Sequence, residues 1–178
     1  MTDFTFFTQL PETLETERLL LRAPVREDVA DITRLANNRN IYDMLARLPY
    51  PYTAVDAENF VDNIARSASE YAWAIDTRDE NFIGTIGLHL EPGKAPELGY
   101  WLGEPYWGEG FASEAVAAIV AAADAAGCPA LTANVRSANK ASLTVLTKSG
   151  FVKTGEAVTD CGPHKGVGVI ALRRERSR

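Results

Sequence analysis

Gly108-Glu109-Gly110-Phe111-Ala112 stands between an apolar run, Glu97 to Leu102, and an alanine-rich segment that reaches Gly127. The spacing reads as a strand whose C-terminal end opens into a small-residue turn at a helix N-terminus. Backbone N–H groups without intrahelical partners gather at such a point and can hold a phosphate. A Walker A loop needs a lysine and a hydroxyl residue directly after its last glycine, and neither follows Gly110. A dinucleotide fold needs a third glycine, where this chain has Ser113, and a carboxylate after the next strand, which ends at Val135-Arg136 without one. What remains is a pyrophosphate held by backbone amides without a metal, a description that coenzyme A fits. An isolated Gly-x-Gly is more often only a tight turn, so the surroundings decide.

The elements that must position this turn belong to a chain of 178 residues, 46% hydrophobic and 24% charged, which predicts one soluble globular domain over residues 1–178. A net charge of -6 and a pI near 5.0 argue against nucleic acid and anionic membranes as partners, since both require a concentrated basic surface. A cationic partner such as an amine stays open. Residues 1–7 lack the positive start and apolar run of a secretion signal, and no later segment has membrane-spanning length; a cytoplasmic location is expected. Cys128 and Cys161 lie far apart without metal-ligand spacing and read as free thiols, with no metal site implied.

Arg18 to Arg22 reads as a buried strand stopped by Pro24, and Val29, Ile32, Leu35 and Ala36 recur at helical spacing. Leu48-Pro49-Tyr50-Pro51-Tyr52 is a stiff aromatic loop, after which Thr53 caps a second helix with Asp56 three positions on and Phe60, Val61, Ile64 and Ala68 as its apolar face. Tyr71–Ile75 and Phe82–Leu90 form an expected antiparallel hairpin, and Glu97–Leu102 a further strand. Ser113–Ala126 is a helix, apolar nearly all round and so expected to be buried, bounded by Gly127 and Pro129. A strand at Leu131–Val135, a helix at Asn139–Ser149 and a strand at Val167–Leu172 complete the order βααβββαβαβ. The strands flanking the central helix should be parallel by the right-handed crossover rule.

The segment from Glu97 to Ala115 resembles the acetyl-CoA-binding core of the GNAT acetyltransferases: a splayed fourth strand, then Gln/Arg-x-x-Gly-x-Gly/Ala at a helix start. Here the motif stands as Trp107-Gly108-Glu109-Gly110-Phe111-Ala112, with Trp107 in place of Gln/Arg. With Gly99-Tyr100-Trp101-Leu102 before it, this is similar to the subgroup containing the ribosomal-protein N-terminal acetyltransferases. Asn139-Lys140-Ala141-Ser142 and Lys148-Ser149-Gly150-Phe151 are similar to that subgroup's Asn-x-x-Ser…Lys-x-Gly-Phe signature, and Thr16 to Arg22 to its first strand. The resemblance implies an α/β (α+β) GNAT fold: a mixed sheet of about six to seven strands flanked by about four helices and splayed between the fourth and fifth strands. It further implies acetyl-CoA bound by Trp101, Leu102, Trp107, Gly108, Glu109, Gly110, Phe111, Ala112, Asn139 and Ser142, and a possible homodimer.

Acetyl transfer to an amine requires a neutral nucleophile, stabilisation of an oxyanion and a proton for the departing thiolate. Many family members use a tyrosine as that acid where this chain has Leu146; the resemblance points instead to Ser142, whose alternative role is a helix-start serine bonding backbone. As base, Glu97 is the candidate if partial burial raises its pKa, and a salt-bridged glutamate is the alternative. Asp160 and His89 are weaker candidates. An N-terminal α-amine is partly neutral at physiological pH and can dispense with a strong base. Tyr50, Tyr52, Trp73 and His89 are candidates to line the acceptor site, with core packing as the alternative for the aromatics. The expected activity is transfer of acetyl from acetyl-CoA to a protein or peptide N-terminus or a small amine, in a ternary complex; a non-catalytic acyl-CoA-binding module is the rival.

Overall fold

The computed structural model describes residues 4–159 and 164–176. Among the described residues, eight strands form one sheet: β1 (Leu14–Glu15), β2 (Leu19–Arg22), β3 (Glu70–Thr77), β4 (Phe82–His89), β5 (Glu97–Leu102), β6 (Ala130–Arg136), β7 (Val152–Val158) and β8 (Gly168–Glu175). Their spatial order is β1-β2-β3-β4-β5-β6-β8-β7. Five α-helices accompany them: α1 (Val29–Ala36), α2 (Arg39–Tyr42), α3 (Ala54–Asn59), α4 (Phe111–Ala125) and α5 (Lys140–Lys148). The sheet therefore holds more strands than the six or seven expected. The additions are β1, too short to carry a periodic signal, and β7, whose side chains are almost all exposed, so that no apolar alternation marks it.

All neighbours from β1 to β5 are antiparallel, and β5 with β6 is the parallel pair that the crossover through α4 demands. That pair is in register only at Glu97↔Thr132, whereas β4 and β5 stay paired from His89↔Glu97 to Gly84↔Leu102. Beyond Glu97 the sheet is split. The split lies between the fourth and fifth of the strands expected from sequence, here β5 and β6 because β1 precedes them.

Two apolar layers sandwich the sheet. Leu19, Leu21, Trp73, Ile75, Ile86 and Leu98 pack with Val116 and Ile119 of α4, and a second cluster on the other side joins Ile32 and Leu35 of α1 with Tyr52, Ala74 and Phe82. Helix α4 ends as its sequence predicts. Gly127 adopts φ 86°, and the N–H groups of Gly127 and Cys128 close on the carbonyls of Asp124 and Ala123. It is not buried all round, however: Ala117, Ala121 and Ala125 form a solvent-facing stripe where a small side chain needs no partner. Helix α3 begins on the expected capping box, with the Thr53 N–H bonded to Asp56, then widens into a π turn over Phe60–Ile64 instead of running on to Ala68. No helix among the described residues is long and apolar enough to cross a membrane.

Candidate active site

A cleft of about 560 Å³ opens where β5 and β6 part. Its floor is the exposed end of β5, including Leu98, Tyr100, Trp101 and Leu102; one wall is the turn Trp107, Gly108, Gly110, Phe111 and Ala112, and the facing wall is the start of α5 with Asn139, Ser142 and Leu146. Of the residues expected to hold a cofactor, Glu109 alone does not line this cleft: its carbonyl accepts from Arg18 Nη1 at 2.9 Å at the back of the turn.

Gly108 and Gly110 both adopt left-handed backbone, φ 80° and 81°, which other residues reach only with strain. This geometry turns the chain sharply into α4 and leaves its N-terminus without a side-chain cap. Among the described residues, no acceptor takes the backbone N–H of any residue from 108 to 113. A row of donors at the positive end of a fifteen-residue helix favours negative charge. The acid in the first turn, Glu114, does not oppose it. Burial pushes its carboxyl up, but bonds from the Thr16 hydroxyl, the Arg18 N–H and the Arg18 side chain outweigh that and hold it below the ordinary carboxylate range. The Arg18 guanidinium also stacks 4.6 Å from the Phe111 ring centre, bracing the turn.

Trp107, 43% exposed, sends its indole N–H to the Leu102 carbonyl at 2.8 Å and so ties the turn to the end of β5. Opposite, Asn139 caps α5 by accepting the N–H of Ser142 at 3.1 Å. The Ser142 hydroxyl is 2.8 Å from the phenol oxygen of Tyr100. Burial raises the Tyr100 hydroxyl above its ordinary value, with the Ser142 bond opposing.

Along β5, Glu97 alternates with Leu98 and Tyr100 and projects from the other face of the sheet. It accepts from Asn134 Nδ2 at 3.0 Å and lies 3.5 Å from Arg47, in a second groove of about 490 Å³ lined also by His89, Glu91, Thr132 and Arg173. His89 Nδ1 is 3.2 Å from Glu70, whose carboxyl burial pushes up and His89 holds back. Asn134 lines both clefts.

Three aromatic candidates for the acceptor site lie elsewhere. Trp73 is completely buried between β2 and β4, its indole N–H given to the Pro11 carbonyl, because the fully paired centre of the sheet leaves no opening there. Tyr52 packs in the cluster beneath α1, where burial raises its hydroxyl to about 12. Tyr50 is half exposed and stacks on Tyr42 outside both clefts. Asp160 and Cys161 fall outside the described residues. Sequence reasoning missed the roles of Arg18 and Tyr100, whose partners are 96 and 42 residues away and leave no local signal.

The family profile described as Acetyltransferase (GNAT) domain matches residues 18–152. The chain belongs to the GNAT acetyltransferases. Among its relatives, the Bacillus subtilis (strain 168) protein named uncharacterized N-acetyltransferase YoaA is 31% identical over 148 residues, 80% of this chain and 84% of its own length. The solved structure of RimL, a ribosomal L7/L12 alpha-N-protein acetyltransferase in complex with coenzyme A, superposes with a TM-score of 0.80 at 21% identity over 93% of this chain and 97% of that one. Spermidine N-acetyltransferase from Vibrio cholerae in complex with CoA and spermine gives 0.78 at 20% identity over 90% and 97%. These two structural likenesses establish that the GNAT fold extends over most of the chain.

Proposed function

We propose that this GNAT protein transfers acetyl from acetyl-CoA to a primary amine by direct attack in a ternary complex. The observation that carries the reading is the set of unpartnered N–H groups from residue 108 to residue 113 at the mouth of the split sheet, a cradle that suits the diphosphate of coenzyme A. The RimL and spermidine enzymes, with coenzyme A in their structures, support the choice of carrier. Trp107, Gly108, Gly110, Phe111 and Ala112 hold the diphosphate end, and the freed edge of β5 at Trp101 and Leu102 holds the pantetheine arm. When bound, acetyl-CoA supplies an acetyl group activated as a thioester.

The acceptor enters from the opposite face, through the groove containing Glu97, His89 and Asn134, and meets the thioester in the split. Bringing two reactants together in this way supplies much of the rate. The nitrogen–carbon bond forms as the carbon–sulfur bond breaks; the amine gives one proton to water, directly or through Glu97, and the sulfur takes one through the Ser142 hydroxyl. The acceptor is the α-amine of a protein or peptide, as the name of RimL describes, or a small amine such as the spermine held in the spermidine enzyme.

Leu146, in the place of the family's tyrosine, is 1% exposed and brings no hydroxyl to the cleft, which keeps the non-catalytic binding module as a second reading. Thiol release from acetyl-CoA, measured with a panel of peptide and small-molecule amines, separates the two. Release that depends on the amine supports the transferase. Tight coenzyme A binding without release for any amine supports the module.

A further inference from the structure

Helix α5 and its C-cap carry four hydroxyl side chains, Ser142, Thr144, Thr147 and Ser149, and Thr144 and Ser149 turn back onto the helix. Thr144 donates to the Lys140 carbonyl at 2.9 Å and Ser149 to the Val145 carbonyl at 3.0 Å, the usual resting place of a helical hydroxyl. Ser142 does not. Its capping duty is taken over by Asn139, and its Oγ reaches across the cleft floor to Tyr100 in the middle of β5.

That bond has two polarities, and they differ in where the serine proton goes. The Tyr100 side chain is partly buried in the cleft floor, and among the described residues its hydrogen-bond partner is Ser142 Oγ. Either oxygen can donate in this pair; the arrangement in which Tyr100 donates and Ser142 accepts leaves the serine proton free for a group in the cleft. The serine proton must then point away from Tyr100, and no carbonyl of α5 takes it. The remaining direction is the open cleft that both residues line.

We propose that Tyr100 is a positioning residue: by donating to Ser142 Oγ it aims the serine O–H at the place where the sulfur of the acyl carrier leaves. This rests on the acetyltransferase reading above and gives it the acid-side geometry that Leu146 does not provide. Accepting a bond from Tyr100 also makes the serine O–H a better donor, since hydrogen bonds in a chain polarise one another. Burial raises the phenol's pKa, so Tyr100 stays protonated at neutral pH and keeps a proton to donate. The proton count does not change: Ser142 passes its proton to the sulfur and regains one from water, and Tyr100 keeps its own throughout.

The test compares Tyr100→Phe, Ser142→Ala and the double variant by three readouts: kcat and KM for a peptide amine, coenzyme A affinity by calorimetry, and the pKa of the bound coenzyme A thiol from the ultraviolet absorbance of its thiolate. Tyr100→Phe keeps the ring, so packing and coenzyme A affinity hold. The expected result is a loss of about two- to tenfold in kcat with KM unchanged, the size of one hydrogen bond, and a raised pKa of the bound thiol. In the Ser142→Ala background the same change produces no further loss. Tyr100→Phe with normal kcat and normal thiol pKa, while Ser142→Ala impairs both, overturns the positioning role alone. Equal losses from Tyr100→Phe with and without Ser142 also overturn it, because the tyrosine would then act independently. A silent Ser142→Ala overturns both the serine assignment and this one, and absence of coenzyme A binding in the unaltered protein overturns the acetyltransferase reading itself.

Discussion

Arg18 Nε lies 2.7 Å from Glu114 Oε2, joining the residue that leads into β2 to the first turn of α4. The same guanidinium bonds the Glu109 carbonyl, so one side chain both pairs with the acid beside the proposed anion site and holds the back of the turn. Arg18→Ala is therefore expected to weaken coenzyme A binding by about tenfold, roughly the effect of one uncompensated charge, with stability lowered by no more than about 1 kcal/mol because the pair is partly exposed. Adding Glu114→Gln to Arg18→Ala should recover most of the affinity. Calorimetric titration of both variants checks this, and a double variant as weak as Arg18→Ala alone would show that the turn's shape, not its charge, is what Arg18 maintains.

Ser113 lines the cleft in the first turn of α4. An aspartate there suits a helix N-terminus but repels a bound diphosphate. Ser113→Asp should keep or slightly raise the melting temperature while lowering coenzyme A affinity by about tenfold or more. The opposite directions of the two effects matter, since Gly110→Val, the more obvious choice, strains a residue at φ 81° and damages the fold along with the site.

Trp73 belongs to the core. Trp73→Ala is expected to cost about 3–5 kcal/mol in unfolding measurements, the usual range for removing a buried large aromatic. In whatever fraction stays folded, KM for the amine should be unchanged. A raised KM with normal stability would place the indole at the acceptor after all.

On the alkaline side, Tyr52 governs a window of its own. Its folded pKa is raised by burial, and secondarily by Asp56, from 10.0 to about 12. Stability contributed by the protonated phenol is complete below pH 10 and is lost as pH climbs through the folded value. Denaturant titrations between pH 10 and about 12 should show that decline, and Tyr52→Phe should make it shallower.

Most of the scaffold was legible because its signals are local. The Thr53 capping box, the Gly127 helix stop and the β3–β4 hairpin each depend on neighbours in sequence. The parallel pairing of β5 with β6 followed from chain handedness, and the sharp turn into α4 from two glycines before an alanine-rich run. What sequence did not reveal depends on distant partners. Whether Trp73 lines a groove or fills the core is decided by β2 and β4 on either side of it, and nothing in Tyr71-Ala72-Trp73 records that. Tyr100 reads as one strand aromatic among several until α5 delivers Ser142 to its hydroxyl. Likewise β7 stays hidden, since an edge strand exposed along nearly its whole length has no face to mark.

The most direct test of the account is a crystal structure with coenzyme A bound. The diphosphate is predicted to accept hydrogen bonds from backbone N–H groups between residues 108 and 113, with the thiol end in the split between β5 and β6 beside Ser142. A diphosphate seated away from the start of α4, or a thiol outside the split, would contradict it.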